Sequence, residues 1–358
     1  MNILIISGGS GSQKLQEGLF AETNNLPKVL INAYDNGKST GFVRDLYGIL
    51  GPSDIRKNHN HQFSLFHPLH KNKELIDLLE KRIDLNVTIE SKKNILKSID
   101  NTKAYIYSKY IVKSAISNFF NLLLSLKYTK NILDFSLFNA VYGQLMYEIG
   151  TKQAANLISE AVFCMPNNLV LNNWDNFYIY GITQSRKKLA EENIVEWNSE
   201  TDPIIDLQFK DGNKNQCEPP RLCKDAQIAI QEADTVIISS GTLWSSILPT
   251  MWSKQFKETI ISWLLKDSYR RVFLVMNGSQ DSDMKGKGSH DILELIEKFI
   301  PSNRITVLYS ASTLDSSMKI SQEDRLRFKD YAIEADIFDV KTNKHKPNEL
   351  AKIILNNL

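Results

Sequence analysis

Glycines, hydroxyls and a few charged residues gather in three short stretches of this chain, and each stretch has the makings of a phosphate site. Gly8-Gly9-Ser10-Gly11 follows an aliphatic run, and Leu15 and Leu19 lie beyond it at helical spacing. Small residues let a phosphate approach the backbone. A helix that starts there turns its first amides and the positive end of its dipole toward the anion. The loop is not the dinucleotide fingerprint G-x-G-x-x-G, because Lys14 takes the third glycine position, and no G-K-[ST] follows at the spacing of a Walker loop. A tight strand-to-helix turn without ligand is the competing reading.

Asp35 ends the second aliphatic run, where an acidic residue could take a ribose hydroxyl or hold a hydrated Mg2+. Asn36, Lys38, Ser39, Thr40 and Arg44 crowd around Gly37 and Gly41 just after it, donors for phosphate oxygens, with Arg44 able to bind bidentately. A solvated turn is the alternative. In Pro52-Ser53-Asp54-Ile55-Arg56 the acid and the arginine would share one face of an extended segment, or form a surface pair worth little. His59, His61, His67 and His70 match no metal-ligand spacing and read as a polar lid or loop. Ser239-Ser240-Gly241-Thr242, with Ser245 and Ser246 beyond, repeats the logic of the first loop. Residues 277–283 and 285–290 form a polar stretch that fits an active-site cover or an ordinary connection. No Ser-His-Asp order or catalytic-cysteine context is present, so nucleophilic catalysis has no support.

These loops need strands and helices to hold them. Residues 2–7 and 29–33 read as buried parallel strands, and two strand-to-helix units in a row imply ligands at the strands' carboxyl ends. Residues 235–238, 271–276 and 305–308 continue the rhythm. The expected fold is α/β, a Rossmann-like, mostly parallel sheet flanked by helices, with a helical insertion and an added hairpin region. Residues 1–70 open the core, 71–130 form the insertion, and 131–358 complete the core, with hairpins over about 169–210. Phe135, Phe138, Val141, Leu145 and Ile149 recur at three-to-four spacing, which places a helix back against the sheet.

The 358 residues suffice for a large domain or two, and 43 Lys and Arg against 41 Asp and Glu give no global reason to expect nucleic acid or an anionic membrane as partner. Three cysteines, Cys164, Cys217 and Cys223, without a CxxC pair suit a reducing compartment. The apolar run 3–6 is too short for a signal peptide and no stretch is long enough to span a bilayer, so a cytoplasmic location is expected. A nicotinamide-dependent dehydrogenase fits the first loop and Asp35 but fails at Lys14.

Taken together the segments resemble the 2-phospho-L-lactate transferase (CofD-like) superfamily, and more closely its gluconeogenesis-factor (YvcK-like) branch. Gly8-Gly9-Ser10-Gly11 stands where that branch has Gly-Gly-Thr-Gly. Asp35-Asn36-Gly37-Lys38-Ser39-Thr40-Gly41 with Arg44 stands where it has Asp-Asp-Gly-Gly-Ser-Ser-Gly and an arginine. Pro52 to Arg56 is similar to Pro-Gly-Asp-Ile-Arg, and Ser136-Leu137-Phe138-Asn139 to Ser-Leu-Gly-Asn. Ala233-Asp234 through Pro249 is similar to an Ala-Asp, strand, Gly-Pro-Gly-Ser-Leu-Tyr-Thr-Ser-Ile-Leu-Pro run. Asn36 replaces the second acid of the pair, Lys38 a glycine, Phe138 a glycine and Ser240 a proline.

The resemblance implies a homodimer that binds a nucleoside diphosphate derivative or nucleotide sugar between the glycine loops. Its ligand set would be Gly8, Gly9, Ser10, Gly11, Asn36, Lys38, Ser39, Thr40, Asp54, Asn139, Ser240, Gly241, Thr242 and Ser245. In the transferase branch Asp35 would position Mg2+ or the acceptor alcohol while a phospho-linked group moves, and Arg44 and Arg56 would stabilise the charge developing on the phosphoryl oxygens. In the other branch the output is binding and regulation without turnover.

Overall fold

The structure is a computed structural model that describes residues 1–8, 11–67 and 69–358, with Lys38 described by its backbone alone. In chain order its strands are β1 (Ile3–Ser7), β2 (Lys28–Ile31), β3 (Arg82–Leu85), β4 (Ile132–Ser136), β5 (Leu169–Leu171), β6 (Tyr178–Thr183) and β7 (Lys188–Ala190). They continue as β8 (Ile204–Lys210), β9 (Gln216–Cys217), β10 (Thr235–Ile238), β11 (Val272–Val275), β12 (Ile305–Tyr309) and β13 (Ala332–Glu334). The chain divides into two compact units. The first holds Met1–Asn32, Asn168–Asn173 and Phe177–Leu358, and the second holds Ala33–Asn167 and Trp174–Asn176.

In the first unit seven parallel strands run in the order β13-β12-β11-β10-β1-β2-β5. The runs Ile3–Ser7, Thr235–Ile238, Val272–Val275 and Ile305–Tyr309 are buried along their whole length, as strands covered on both faces must be, and their near-continuous apolar sequence follows from that. The chain winds outward from β1 through β2 to β5, then returns to the other side of β1 and winds outward again from β10. The direction therefore reverses between β1 and β10, and at such a switch point the loops leave a crevice. β7-β6-β8-β9 form a separate antiparallel sheet. Leu169–Leu171, expected among the hairpins, instead pairs in parallel with β2 as an edge strand of the main sheet.

The second unit is mostly helical. Its central helix, Leu137–Ile149, is buried from Leu137 through Met146. Phe119 stacks on Phe135 at 5.7 Å between centroids, and Phe138 on Phe163 at 5.4 Å. The expected helix is present, but Phe135 belongs to β4 and Ile149 is exposed, and instead of lying on the parallel sheet the helix packs on helices Lys38–Tyr47, Ile106–Ser125 and Thr151–Ala161 of its own unit. The stretch 71–130 is helical except for β3, which pairs antiparallel with β4. The two units divide the chain near residues 33 and 167, where the sequence suggested boundaries at 70 and 130. Among the described residues no helix is long and apolar enough to cross a membrane.

One contact fixes the first crossover helix. A Cβ on Gly18 of helix Gln13–Thr23 would overlap the Pro347 carbonyl and lie 3.1 Å from the Ala351 Cβ of helix Pro347–Asn356. Alanine is the better helix former by about 1 kcal/mol, yet overpacking costs about 1–3 kcal/mol. Gly18→Ala is therefore expected to lower stability, read as an earlier urea midpoint; a midpoint at or above the parent's would show that the two helices can part without cost.

Candidate functional site

β1 delivers the chain to Gly8, and Gly8 and Gly11 approach the loop after β10 closely. A Cβ on Gly8 would overlap the Ser246 side chain, and one on Gly11 would overlap the Ser240 carbonyl and lie 2.8 Å from the Gly241 Cα. Glycine is what lets the two loops touch. Ser239 donates to the Ile6 carbonyl through both its amide, at 3.0 Å, and its hydroxyl, at 3.2 Å. Ser240 Oγ donates to the Gly11 carbonyl at 3.4 Å, and from the end of β2 Asn32 Nδ2 donates to the Ser246 carbonyl at 2.6 Å. Gly9 and Ser10 lie outside the described residues. Helix Gln13–Thr23, which starts just after Gly11, has no side-chain cap and no acid in its first turn, so its amino end suits an anion.

The loop after β11 clasps the same place. Gly241, at φ +146°, holds a conformation that a side chain would strain. Its amide donates to Asn277 Oδ1 at 3.0 Å, and its carbonyl accepts from Asn277 Nδ2 at 3.3 Å. Asn277 Nδ2 also donates to Asp281 at 2.5 Å. The Asp283 carboxylate accepts the Trp244 amide at 2.9 Å. Burial pushes the Asp283 carboxyl up to about 7, with the neighbouring Asp281 charge adding to the rise and the amides of Trp244, Ser245 and Leu243 opposing it. Burial likewise raises Asp281 to about 6.

The Asp283 carboxyl therefore takes the first amides of the helical turn Leu243–Ile247, one of the places the sequence reading offered to a phosphate. Ser245 Oγ donates to Thr242 Oγ1 at 2.8 Å, and Thr242 and Ser246 share a 2.7 Å hydrogen bond, so these hydroxyls brace the loop. Sequence reasoning placed Asn277, Asp281 and Asp283 in a polar stretch that fitted an active-site cover or an ordinary connection, and gave none of them a bonding partner. The available signal was a polar loop after a third buried strand, the same pattern that marked the first two.

In the second unit Asp35 accepts the Gly37 amide at 3.2 Å and the Thr40 hydroxyl at 3.0 Å. Ser39 Oγ accepts from Asn139 Nδ2 at 3.0 Å and from the Ser136 amide at 3.2 Å, which joins the starts of two helices. Asn139 is fully buried, and its Oδ1 has no hydrogen-bond partner among the described residues. Asn36 is half-buried, and its carbonyl lies 2.9 Å from where a Gly41 Cβ would sit.

Arg44 was expected to reach a phosphate. Its guanidinium is buried and donates to the Tyr34 carbonyl at 2.7 Å, the Asp35 carbonyl at 3.2 Å and Asn176 Oδ1 at 2.8 Å, which makes it the brace of the Asp35 loop. Asp54 and Arg56 are not an extended surface pair, because both lie in the first turn of helix Ser53–Phe66. Arg56 is buried and pairs with Glu80, and burial and the nearby Arg82 hold its guanidinium down at about 10. Asp54 lies 3.5 Å from Lys57; burial and then the Asp35 charge push its carboxyl up to about 6.

The histidines form no lid at their start. His59 lies on helix Ser53–Phe66, buried, with Nδ1 2.6 Å from the Tyr142 hydroxyl and Nε2 2.9 Å from Asn167 Oδ1, and burial holds it neutral with a pKa near 4. His61 is on the same helix. Among the described residues no group of three or more His, Cys, Asp or Glu could hold a metal. Asp35 and Asp54, close enough for one to raise the other, are the second unit's candidate carboxylate pair for a hard cation.

The sequence-derived residues thus fall into two sets. Gly8, Gly11, Ser240, Gly241, Thr242 and Ser245 gather in the first unit, and Asp35, Asn36, Ser39, Thr40, Arg44, Asp54, Arg56 and Asn139 belong to the second. No family model matches the chain. A protein of Aquifex aeolicus named "putative gluconeogenesis factor" is 23% identical over 303 residues, 84% of this chain and 74% of that one. Two crystal structures of the Bacillus halodurans protein BH3568, described in one of them as a member of the UPF0052 family, superpose with a TM-score of 0.69. They are 15% and 16% identical, over 99% of this chain and 98% and 99% of theirs. The relative carries the name of the group that the sequence motifs resemble, and the solved structures share the fold.

The buried acids make a statement about stability. Asp283 has a folded-state pKa above the ordinary carboxylate value, so its contribution is fully present below that value and is lost as pH rises through about 7. Asp283→Asn keeps an acceptor for the Trp244 amide without the charge. Its Tm is expected to exceed the parent's above about pH 7, with the two converging as pH falls into the carboxylate range. A constant gap at every pH would show that the carboxyl does not titrate in this window.

Proposed function

We propose that this chain is a nucleotide-binding regulatory factor: a nucleoside diphosphate or nucleotide sugar seats its diphosphate in the crevice of the first unit, and binding rather than turnover is the output. The observation that carries this reading is the contact of the loops after β1 and β10, where Gly8 and Gly11 leave no room for a Cβ at the switch point of a parallel sheet. The uncapped amino end of helix Gln13–Thr23 adds amides and a favourable dipole there. Gly9 and Ser10 would contribute amides, and Ser240, Gly241 and Thr242 would wall the other side. The printed name of the Aquifex relative, a factor of gluconeogenesis, is in keeping with regulation. On this reading the protein works in the cytoplasm as a homodimer.

One observation favours a second reading, transfer of a phospho-linked group from a nucleoside diphosphate to an alcohol. Asp35 and Asp54 are two mutually repelling carboxylates with a single lysine, Lys57, at ion-pair distance from Asp54. Such a pair suits Mg2+, which takes one or two carboxylates and completes its shell with phosphate oxygens and water. Bound there, the ion would neutralise charge developing on the phosphoryl oxygens. Asp35 would be fixed by Thr40 and Gly37, Arg44 would hold its loop in shape, and Arg56, paired with Glu80, would brace the helix that carries Asp54.

Calorimetry with UDP, GDP and a panel of nucleotide sugars decides between these readings. Binding without a new product by mass spectrometry, in the presence of Mg2+, is the expected result, and Gly11→Ala is expected to weaken it at least about tenfold. Heat from no member of the panel would overturn both readings. A product that disappears in Asp35→Ala would establish the second.

A further inference from the structure

The whole-chain charge balance hides a local surplus. Residues 71–130 carry twelve Lys and Arg against six Asp and Glu, a net of +6 in a chain whose total is +2. In the second unit the loop after helix Ser53–Phe66 meets the start of helix Ile106–Ser125. His70 lies edge-on to Tyr105 with ring centroids 5.4 Å apart, Lys71 Nζ sits 5.7 Å from the Tyr105 ring centre, and the Tyr105 amide donates to Asn72 Oδ1 at 2.9 Å.

Apolar side chains stand in solvent around this junction. Leu69 is 97% exposed, Ile106 86%, Tyr110 67% and Tyr107 59%. Beside them opens a cleft of about 570 Å³ whose walls include Leu157, Ala161 and Cys164. Single exposed apolar residues are ordinary, but several side by side mark an interaction surface.

The charges say what kind. Lys71, Lys103 and Lys109 have no carboxylate at ion-pair distance among the described residues; Lys109 Nζ donates only to the Asp100 carbonyl. Helix Ile106–Ser125 turns an amino end with no acid in its first turn and no side-chain cap toward the junction. Lys113 with Asp100 and Lys73 with Asp77 cancel. Against the three lysines stand Glu74, which accepts the Lys103 amide, and Glu160 at the cleft wall.

We propose that this junction docks on an anionic lipid surface. Leu69, Ile106, Tyr107 and Tyr110 enter the boundary of the acyl region, and Lys71, Lys103 and Lys109 take the headgroup phosphates. Tyrosine suits such a boundary because its ring is apolar and its hydroxyl wet, and each lysine near an anionic bilayer adds attraction. A second copy of the chain is the weaker occupant. A two-fold contact on this patch would bring the three lysines against their own counterparts, where like charges oppose docking.

The test is co-sedimentation of the full chain with vesicles of phosphatidylcholine alone and of phosphatidylcholine mixed with phosphatidylglycerol. The expected result is binding to the mixed vesicles only, weakened by salt. Leu69→Asp with Ile106→Asp, both at exposed positions, is expected to reduce it at least about tenfold without lowering Tm, and the triple Lys71→Glu, Lys103→Glu, Lys109→Glu to abolish it. Binding to neither vesicle, or equally to both, would overturn the proposal. So would light scattering that shows a dimer converted to monomer by Ile106→Asp, because the patch would then belong to a second copy.

Discussion

The close approach of two loops at the carboxyl ends of β1 and β10 is the constraint from which the first unit's site follows. A parallel sheet that winds outward in both directions must leave these two strand ends side by side with their connections diverging. Here the gap is narrowed until Gly8 and Gly11 meet Ser246, Ser240 and Gly241 with no space for a side chain. Everything around the gap serves to hold it: Asn32 from β2, Asn277 from β11 and the hydroxyl chain of Thr242, Ser245 and Ser246. Each bond is modest in a folded protein, about 1 kcal/mol. Their convergence on one loop from three neighbouring strand ends gives a backbone conformation, that of Gly241, which the chain would not hold by itself.

Both units also carry buried acids that do not help them fold near neutral pH. Asp283 and Asp281 in the first unit and Asp54 in the second all have raised carboxyl pKa values, with burial as the main cause. An apolar or amide side chain would avoid that cost. Such acids concentrate where a charge or a proton is wanted, and here each lies beside a residue set that the sequence motifs had singled out. Arg44 and Arg56 show the opposite use of charge. Committed to carbonyls and to Glu80, they fix backbone and helix.

The sheet was legible because parallel strands buried on both faces leave continuous aliphatic runs, as in 3–6 and 235–238, and because glycine at a strand end has few other uses. The edge strand Leu169–Leu171 was misread as hairpin because three residues carry no period and their partner, β2, is far away in sequence. Periodicity likewise found helix Leu137–Ile149 but could not say what it packs on, since an apolar stripe fits a helix and a sheet equally well. The fate of Arg44 was beyond sequence altogether. A guanidinium binds a peptide carbonyl as readily as a phosphate, and only the fold of the 34–44 segment decides which lies within reach. What Asp283 bonds to was hidden for a related reason: its partners, the amides from Leu243 to Ser245, are backbone groups that leave no mark in the side-chain pattern.

That carboxyl changes how the proposed phosphate cradle would work. The Asp283 carboxyl already takes the amides of the turn Leu243–Ile247, so an anion at that turn would find those donors engaged. The open amino end in this unit is that of helix Gln13–Thr23, and the loop after β10 serves as its wall. The wall is tied outward as well. Asn277 holds Gly241 and Asp281 together, helix Glu191–Glu196 packs on both the turn Leu243–Ile247 and the segment Ser282–Met284, and Ser282 Oγ donates to the Val195 carbonyl. Any shift of Gly241 must break its paired bonds to Asn277 and so disturb the Asp281–Asp283 pair and the added sheet beyond it. On the proposed regulatory reading, these packed elements are the contacts through which a ligand at the loop would be felt at the added sheet.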